Sequence, residues 1–541
     1  MRLSLAIVAV IALASLLPRS ARIGLAGDYV DPVSRVTAQD EALYANTSIH
    51  MARGGGWLTP RFMGRYALYK PPLLYWLSAV SARALGISTF ALRLPITVIA
   101  ALACSLLFLW AAELGGWPAG VLAVALLVSN HLWHTLSGMA MTDGLLAAFF
   151  TAAFFALFAR PWLDTKASLC GFSGAVAAAV LTKGIAGILP LGVLGLYWIA
   201  APPRYRPNFA RIIAAGALAV VFAAPWFLFQ MAVHGKWFHT EHVNVEILGF
   251  GAGAPPQTSS ETRAQFYGLR LALTDPILLA AAIVAVPGFI TALRRRDASA
   301  VLLACWIALT AGAVFVWQYR NAAYLLPLVP ALALLGASYG PLVSRTSAKG
   351  VVVLAAALVA SKAITPGAPW GISFGGGTVQ PLVPVLQEYC ERSRSNELIV
   401  VGVDDDLYAS ALPLPRLRYA LVGAPSPAAG PYSMDFAGMG IVVTADQFDH
   451  LPQWLPAFRE RLRQWGLDST RPVATLIRIP SEAELAEVVR AHPDSDFLLP
   501  DRYRGAADAA HVLVEAVPDH CLLLARTSTP RNQRPPWTCR M

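Results

Sequence analysis

The chain has 541 residues, 56% of them hydrophobic and 14% charged, with a formal net charge of +10. A soluble domain carries about 25% charged residues, so this composition excludes a single water-soluble core and a disordered chain. Residues 1–364 hold 26 Lys+Arg against 12 Asp+Glu, and residues 365–541 hold 16 against 20. The basic excess lies in the apolar part, where it reads as loop charge facing anionic lipid and not as a nucleic-acid face.

A membrane helix needs about 20 mostly apolar residues. Eleven segments qualify in chain order: 3–18, 91–112, 117–136, 142–159, 168–182, 185–201, 210–230, 268–292, 299–317, 322–341 and 349–364. The first also has the make-up of a cleavable signal peptide, with Arg2 ahead of an apolar run. Arg160 and Lys166, Arg204 with Arg206 and Arg211, Arg294 to Arg296, and Arg345 with Lys349 fall on one side, which the positive-inside rule makes cytoplasmic. Arg19 and Arg22 oppose that majority. An odd number of spans then puts residues 365–541 outside, behind the Gly/Pro-rich linker 365–378.

The polar C-terminal part reads as a small α/β domain, with strands at 397–403, 440–445 and 511–517 and helices at 458–466 and 481–492. Its DDDLYA stretch (404–409) reads as a solvated loop before a metal site. Cys104, Cys170 and Cys305 lie in apolar segments as packing thiols, while Cys521 and Cys539 are the nearest pair for a disulfide outside the cell. The fold class is therefore mainly α: a polytopic membrane part over 1–364, with interfacial helices in its first outer loop, and an outer α/β domain over 365–541.

Candidate chemistry collects in the outer loops. Residues 37–86 carry helical patterning and many aromatics, which suits helices lying along the interface. There Asp40 and Glu41 are adjacent carboxylates, fit for a general base or metal ligand, and equally for the charge of a helix N-terminus. Lys70 precedes Pro71-Pro72, which keeps it out of helical geometry at headgroup level, where an ammonium suits a phosphate or simply snorkels. Asp143 opens the fourth span, as an N-cap or a functional acid. Lys183 marks an outer turn or a buried cation. Glu241, His242 and Glu246 stand in the second outer loop, where His242 and Glu246 share a helix face at weak metal spacing. That loop ends in GFGAGAPPQTSSETR (249–263), which cannot pack by itself. Arg320 and Tyr324 open the tenth span on the same outer side. Acids and cations gathered at one interface read as a site for an anionic lipid substrate.

The order Asp40-Glu41-x-x-Tyr44-Ala45, GGGWLTPRFMGRYALYKPPLLYW, MAMTDGLL, LTKGIAG, APWF, EH and YLLPLVPALALL resembles the GT-C-type membrane glycosyltransferases over roughly residues 1–345. The branch it resembles contains the lipid A aminoarabinose transferases and the protein O-mannosyltransferases. The resemblance implies transfer of a sugar, a 4-amino-4-deoxyarabinose or a hexose, from a polyprenyl (undecaprenyl) phosphate to a lipid or protein acceptor, with inversion. It implies a bacterial inner-membrane enzyme working at the periplasmic face. It makes Asp40, with Glu41, the catalytic carboxylates, gives the donor phosphate to Lys70, and lines the donor cavity with Tyr44, Asp143 and Tyr324. Arg320 reads as a second cation for that phosphate. Some members bind a divalent metal, for which Glu241, His242 and Asp40 are the candidates here. Three positions depart from the aminoarabinose branch: Leu43 where it has Arg, Tyr69 where it has an acid, and Val245-Glu246 where an Arg usually follows the EH pair. A polyprenyl-linked glycan ligase or polymerase and a lipid-linked-substrate transporter are the competing readings. The transporter would place charges in mid-span and matching halves, and neither pattern is evident.

Overall fold

The computed structural model describes residues 12–13, 16–17, 40–52, 54, 56–62, 65–235, 238–249, 262–341 and 346–364. In the C-terminal part it describes 398–401, 417–422, 432–433, 475–479, 482–517 and 520–526. Helix α1 (Asp40–Ala52) and a hairpin of β1 (Arg61–Phe62) and β2 (Arg65–Tyr66) precede α2 (Leu73–Leu85) and α3 (Thr89–Gly115). Then come α4 (Trp117–Ser129), α5 (His131–Leu136), α6 (Thr142–Ala159) and α7 (Lys166–Lys183). A 3-10 turn, Gly184–Ile188, leads into α8 (Leu189–Ala200), followed by α9 (Phe209–His234) and a π-helical segment, His239–Gly249. Helices α10 (Arg263–Thr274), α11 (Pro276–Arg294), α12 (Ala298–Val316), a 3-10 segment Ala322–Leu328, α13 (Val329–Tyr339) and α14 (Ala348–Ile364) complete the apolar part.

This is a multi-pass membrane architecture. Among the described residues, six helical runs are long and apolar enough to cross a bilayer: α3, α6, 166–200, 203–234, α11 and α12. Four shorter apolar helices accompany them, at 73–85, 117–129, 322–338 and 348–360. The sequence reading differs in two places. The expected span 117–136 is divided at Asn130, whose side chain accepts the Trp133 N–H at 2.9 Å and so starts a new helix. The expected span 322–341 opens as a 3-10 segment around Pro327, which supplies no N–H for an α-helical bond. The expected break at Lys183 holds: α7 ends there, capped by Gly184 at φ +56°, and a 3-10 turn separates it from α8. Only 12–13 and 16–17 of the expected first span are described, and they are helical, with Ala12 and Leu16 in the core. The first outer loop carries helices α1 and α2 in the stretch where helical patterning was expected.

Aromatic packing ties the apolar part together. Trp110 of α3 stacks on Phe158 of α6 at 4.7 Å and on Trp306 of α12 at 6.1 Å. Phe154 meets Trp306 at 4.6 Å, and the Trp306 indole N–H donates to the Pro327 carbonyl at 3.0 Å. A buried Trp usually finds a partner for its N–H, and for Trp306 the partner is the 3-10 segment that carries Tyr324.

The described C-terminal residues form a seven-stranded sheet. Strands β3 (Leu398–Val401), β4 (Leu417–Val422), β5 (Tyr432–Ser433), β6 (Thr475–Ile479), β7 (Asp496–Pro500), β8 (His511–Val517) and β9 (His520–Ala525) lie in the order β5-β6-β4-β3-β7-β9-β8. The four central strands run parallel and the outer pairings are antiparallel. Helix α15 (Glu482–Ala491) lays Leu485 and Val489 into a small core with Ile399, Phe497 and Leu523. The expected α/β character holds, with strands at 398–401 and 511–517 and a helix at 482–491. The strand expected at 440–445, the helix at 458–466, the linker 365–378 and DDDLYA fall outside the described residues. Cys104 and Cys305 are buried as expected, whereas Cys170 is exposed on its helix. Cys521 is buried in β9 and Cys539 lies outside the described residues.

The bend after α7 depends on close backbone approach, since a Cβ on Gly187 would fall on the Val180 backbone. Gly187→Ala is therefore expected to destabilise the protein by about 1–3 kcal/mol, read as a lowered melting midpoint in detergent. Gly195→Ala, inside α8 where a Cβ meets nothing within 4 Å, is the control that should leave the midpoint unchanged or raise it slightly.

Candidate active site

The two adjacent acids at the start of α1 have different surroundings. Glu41 is completely buried and accepts Arg93 Nε at 2.6 Å and Nη2 at 2.7 Å. The same carboxylate accepts the Ala140 N–H at 2.7 Å. A bidentate guanidinium fork of this kind is short, strong and geometrically specific. It pins the N-terminus of α1 to α3 and to the loop that leads into α6. Asp40, one residue earlier, is exposed. Its carboxyl is hydrogen-bonded by Tyr44, one turn along α1, and sits in the combined field of Lys70, Lys183 and Asp143.

Lys70 and Lys183 stand on the wall of a cavity of about 240 Å³. Each is tethered by its own carboxylate, Lys70 by Glu246 and Lys183 by Asp143 Oδ1 at 2.5 Å. Lys70 lies on the bend ahead of the buried Pro71-Pro72 step, and α2 begins directly after it. Lys183 also lies over the Tyr324 ring, 4.9 Å from its centroid. The remaining wall is apolar, including Leu146, Phe150, Ile188, Leu189, Val314 and Trp317. A charged head thus opens into a greasy slot between helices.

His242 closes one side of the head. Its ring stacks on Phe238 at 5.1 Å and meets Phe227 edge-on at 5.4 Å. Its Nδ1 lies 3.1 Å from the Tyr69 carbonyl, next to Lys70. Burial lowers its pKa to about 4, so the ring is neutral at physiological pH and Nδ1 donates to that carbonyl. Gly184 faces this ring: its φ is positive, and a Cβ would stand 3.2 Å from the imidazole. Both conformation and space therefore demand glycine there.

The structure thus brings together Asp40, Tyr44, Lys70, Asp143 and Tyr324 and adds His242 as a wall. It separates Glu41, which is taken up by Arg93. It sets Arg320 beside Phe266, 5.8 Å from the ring centroid, and not on the cavity wall. The side chain of Glu241 lies outside what the structure describes. Among the described residues no group of three or more His, Cys, Asp or Glu has the arrangement of a metal site. The described carboxylates of the cavity, Asp143 and Glu246, are held by lysines, and the His242 ring is spent on packing and a carbonyl. Two contributors exceed the sequence reading. Lys183 is a cavity cation, signalled by a charge between apolar runs, and Glu246 belongs to Lys70, 176 residues away, instead of to His242.

The chain is similar to known membrane glycosyltransferases. Residues 13–242 match the family described as dolichyl-phosphate-mannose-protein mannosyltransferase. An undecaprenyl phosphate-alpha-4-amino-4-deoxy-L-arabinose arabinosyl transferase of Pseudomonas aeruginosa (strain UCBPP-PA14) is 30% identical over 331 residues, 57% of this chain and 56% of that protein. The protein of the same description from Shewanella sediminis (strain HAW-EB3) is 27% identical over 217 residues, 38% of this chain and 39% of that one. The chain spans about half the length of the curated relatives it matches. The crystal structure of ArnT from Cupriavidus metallidurans bound to undecaprenyl phosphate matches with a TM-score of 0.66 at 16% identity, over 98% of this chain and 99% of that one. Its apo form matches with a TM-score of 0.65 at 16% identity, over 97% and 99%. This chain has the ArnT fold, and it resembles the GT-C glycosyltransferases that use polyprenyl-phosphate sugars.

Breaking a buried ion pair by neutralising one partner costs about 3–5 kcal/mol. Glu41→Gln should therefore lower the melting midpoint in detergent sharply, and the Glu41→Gln/Arg93→Met double variant should regain part of the loss.

Proposed function

We propose that this chain is a membrane glycosyltransferase that moves a sugar from a polyprenyl phosphate to a lipid or protein acceptor. The observation that carries the reading is the two tethered lysines at the head of an apolar cavity, with the Asp40 carboxylate in their field. A polyprenyl phosphate has the matching chemistry: one anionic group on a long apolar chain. The ArnT fold, found with undecaprenyl phosphate in the Cupriavidus protein, supports it. The sugar named for the relatives is 4-amino-4-deoxy-L-arabinose, and that sugar or a hexose is the donor proposed here. The site belongs on the outer face of a bacterial inner membrane. Residues 1–364 carry the chemistry, and residues 365–541 stand on the same outer side.

The step follows from the residues. Lys70 and Lys183 hold the donor phosphate, and Tyr324, lying against Lys183, walls the sugar end. Asp40 accepts the acceptor's hydroxyl proton as its oxygen attacks the anomeric carbon, with Tyr44 fixing the carboxylate. The bond from that carbon to the phosphate oxygen breaks, and its electron pair stays on the phosphate, where the two ammonium groups meet the growing charge. Attack opposite the leaving group inverts the anomeric centre. Glu41 acts as a positioning residue for Asp40 through Arg93.

Asp40→Asn should lower the transfer rate by at least about a hundredfold, measured with radiolabelled undecaprenyl-phosphate sugar and a cell-envelope extract. Binding of the donor should persist in that variant. Unchanged transfer would remove Asp40 from the reaction.

Lys70 adds a pH dependence. Burial, and then the charge of Lys183, lower its pKa to about 7, while Asp40 and Asp143 pull it upward. Its ammonium is complete below that value and is lost as pH rises through it. KM for the donor should therefore rise roughly tenfold between about pH 6 and about pH 8. Lys70→Arg, whose charge persists at every accessible pH, should flatten the curve.

A further inference from the structure

The charges on the cavity wall come in opposed pairs. Lys70 meets Glu246 and Lys183 meets Asp143, with Asp40 as a further acid in the same field. Of the two paired acids, Asp143 is fixed at the start of a spanning helix with 6% of its side chain exposed. Glu246 keeps 23% exposure and rides on the π-helical segment His239–Gly249, a backbone form that concentrates at functional sites. His242, one turn earlier on that segment, is neutral and packed among aromatic rings, so it supplies no compensating charge.

An anion entering this head meets two cations that are already half-neutralised. The donor and the product of the proposed reaction differ here. The donor is a phosphodiester with one negative charge. When the sugar leaves and its bond pair stays on the phosphate, the lipid becomes a phosphomonoester, whose second ionisation lies near pH 6. At neutral pH the product carries close to two negative charges. That extra charge is repelled by every carboxylate left on the wall.

We propose that Glu246 is a specificity-determining residue that selects the singly charged polyprenyl phosphodiester over the doubly charged monoester, favouring donor entry and product release. This rests on the reading of the lysine cavity as the lipid-phosphate site. One unit charge acting at several Å near a protein surface is worth about a tenfold change in affinity or more.

The test compares two probes on the purified full chain in detergent at about pH 7: undecaprenyl phosphate, and undecaprenyl methyl phosphate as a diester without a sugar. Glu246→Gln should tighten the monoester about tenfold and the diester less than about threefold. Glu246→Asp, which keeps the charge, should retain the wild-type ratio. Equal tightening of both probes would make Glu246 a mere competitor for Lys70 and overturn the proposal. Weakened binding of both would make it a positioning residue for Lys70 and overturn it equally. Wild-type protein that binds neither probe would instead overturn the lysine-cavity reading, and this inference with it.

Discussion

A single carboxylate buried in the apolar interior organises the site. Glu41 has no exposed surface, and Arg93 clamps it from α3 with both fork nitrogens. Two charges so placed stay ionised only together, because either one alone faces a desolvation penalty of several kcal/mol. The pair therefore fixes geometry more than it adds stability. Its third bond, from the Ala140 N–H, extends that geometry to the segment preceding α6. Asp40 is next to Glu41 in sequence, and Asp143 is three residues beyond Ala140. One interaction thus sets the relative position of two acids that lie about a hundred residues apart on the chain.

Around that anchor the lysines solve a related problem. An ammonium on the wall of an apolar slot is costly unless it is paired, and Glu246 and Asp143 supply the partners. The pairs leave the head polar but nearly balanced. A lipid phosphate can enter by exchanging with a carboxylate and does not have to meet an unscreened field. The apolar slot continuing from that head, between Phe150, Leu189 and Trp317, offers the polyprenyl chain a path between helices. Charge at one end and hydrocarbon at the other make the cavity amphiphilic in the same sense as its proposed ligand.

Much of this was legible from residue order, and the rest failed for physical reasons. Long apolar runs such as 91–112 and 142–159 show their helices because a bilayer tolerates little else. The Lys70-Pro71-Pro72 step shows its bend because proline restricts the residue before it. The local outcomes at Asn130 and Pro327 were misread, because a side-chain cap and a missing N–H end an α-helix however apolar the run around them. Pairings were not legible at all. Glu41 looked like a second catalytic acid, and nothing near it in sequence announces Arg93, 52 residues away. Glu246 shares a helix face with His242 and reads as part of a solvated helix or a weak metal spacing, yet it pairs with a cation from the first outer loop. Arg320 looked like a phosphate ligand and lies beside Phe266 instead. Side chains at matching helical spacing share a face, but only the tertiary fold decides what that face meets.

The central claim is that the lysine head of this cavity takes the phosphate of a polyprenyl lipid. Native mass spectrometry of the detergent-purified protein, loaded in parallel with undecaprenyl phosphate and with undecaprenol, tests it most directly. The account predicts that the phosphate is retained, that the alcohol is not, and that Lys183→Ala releases the phosphate. Equal retention of the two lipids, or retention of the phosphate undiminished by Lys183→Ala, would contradict it.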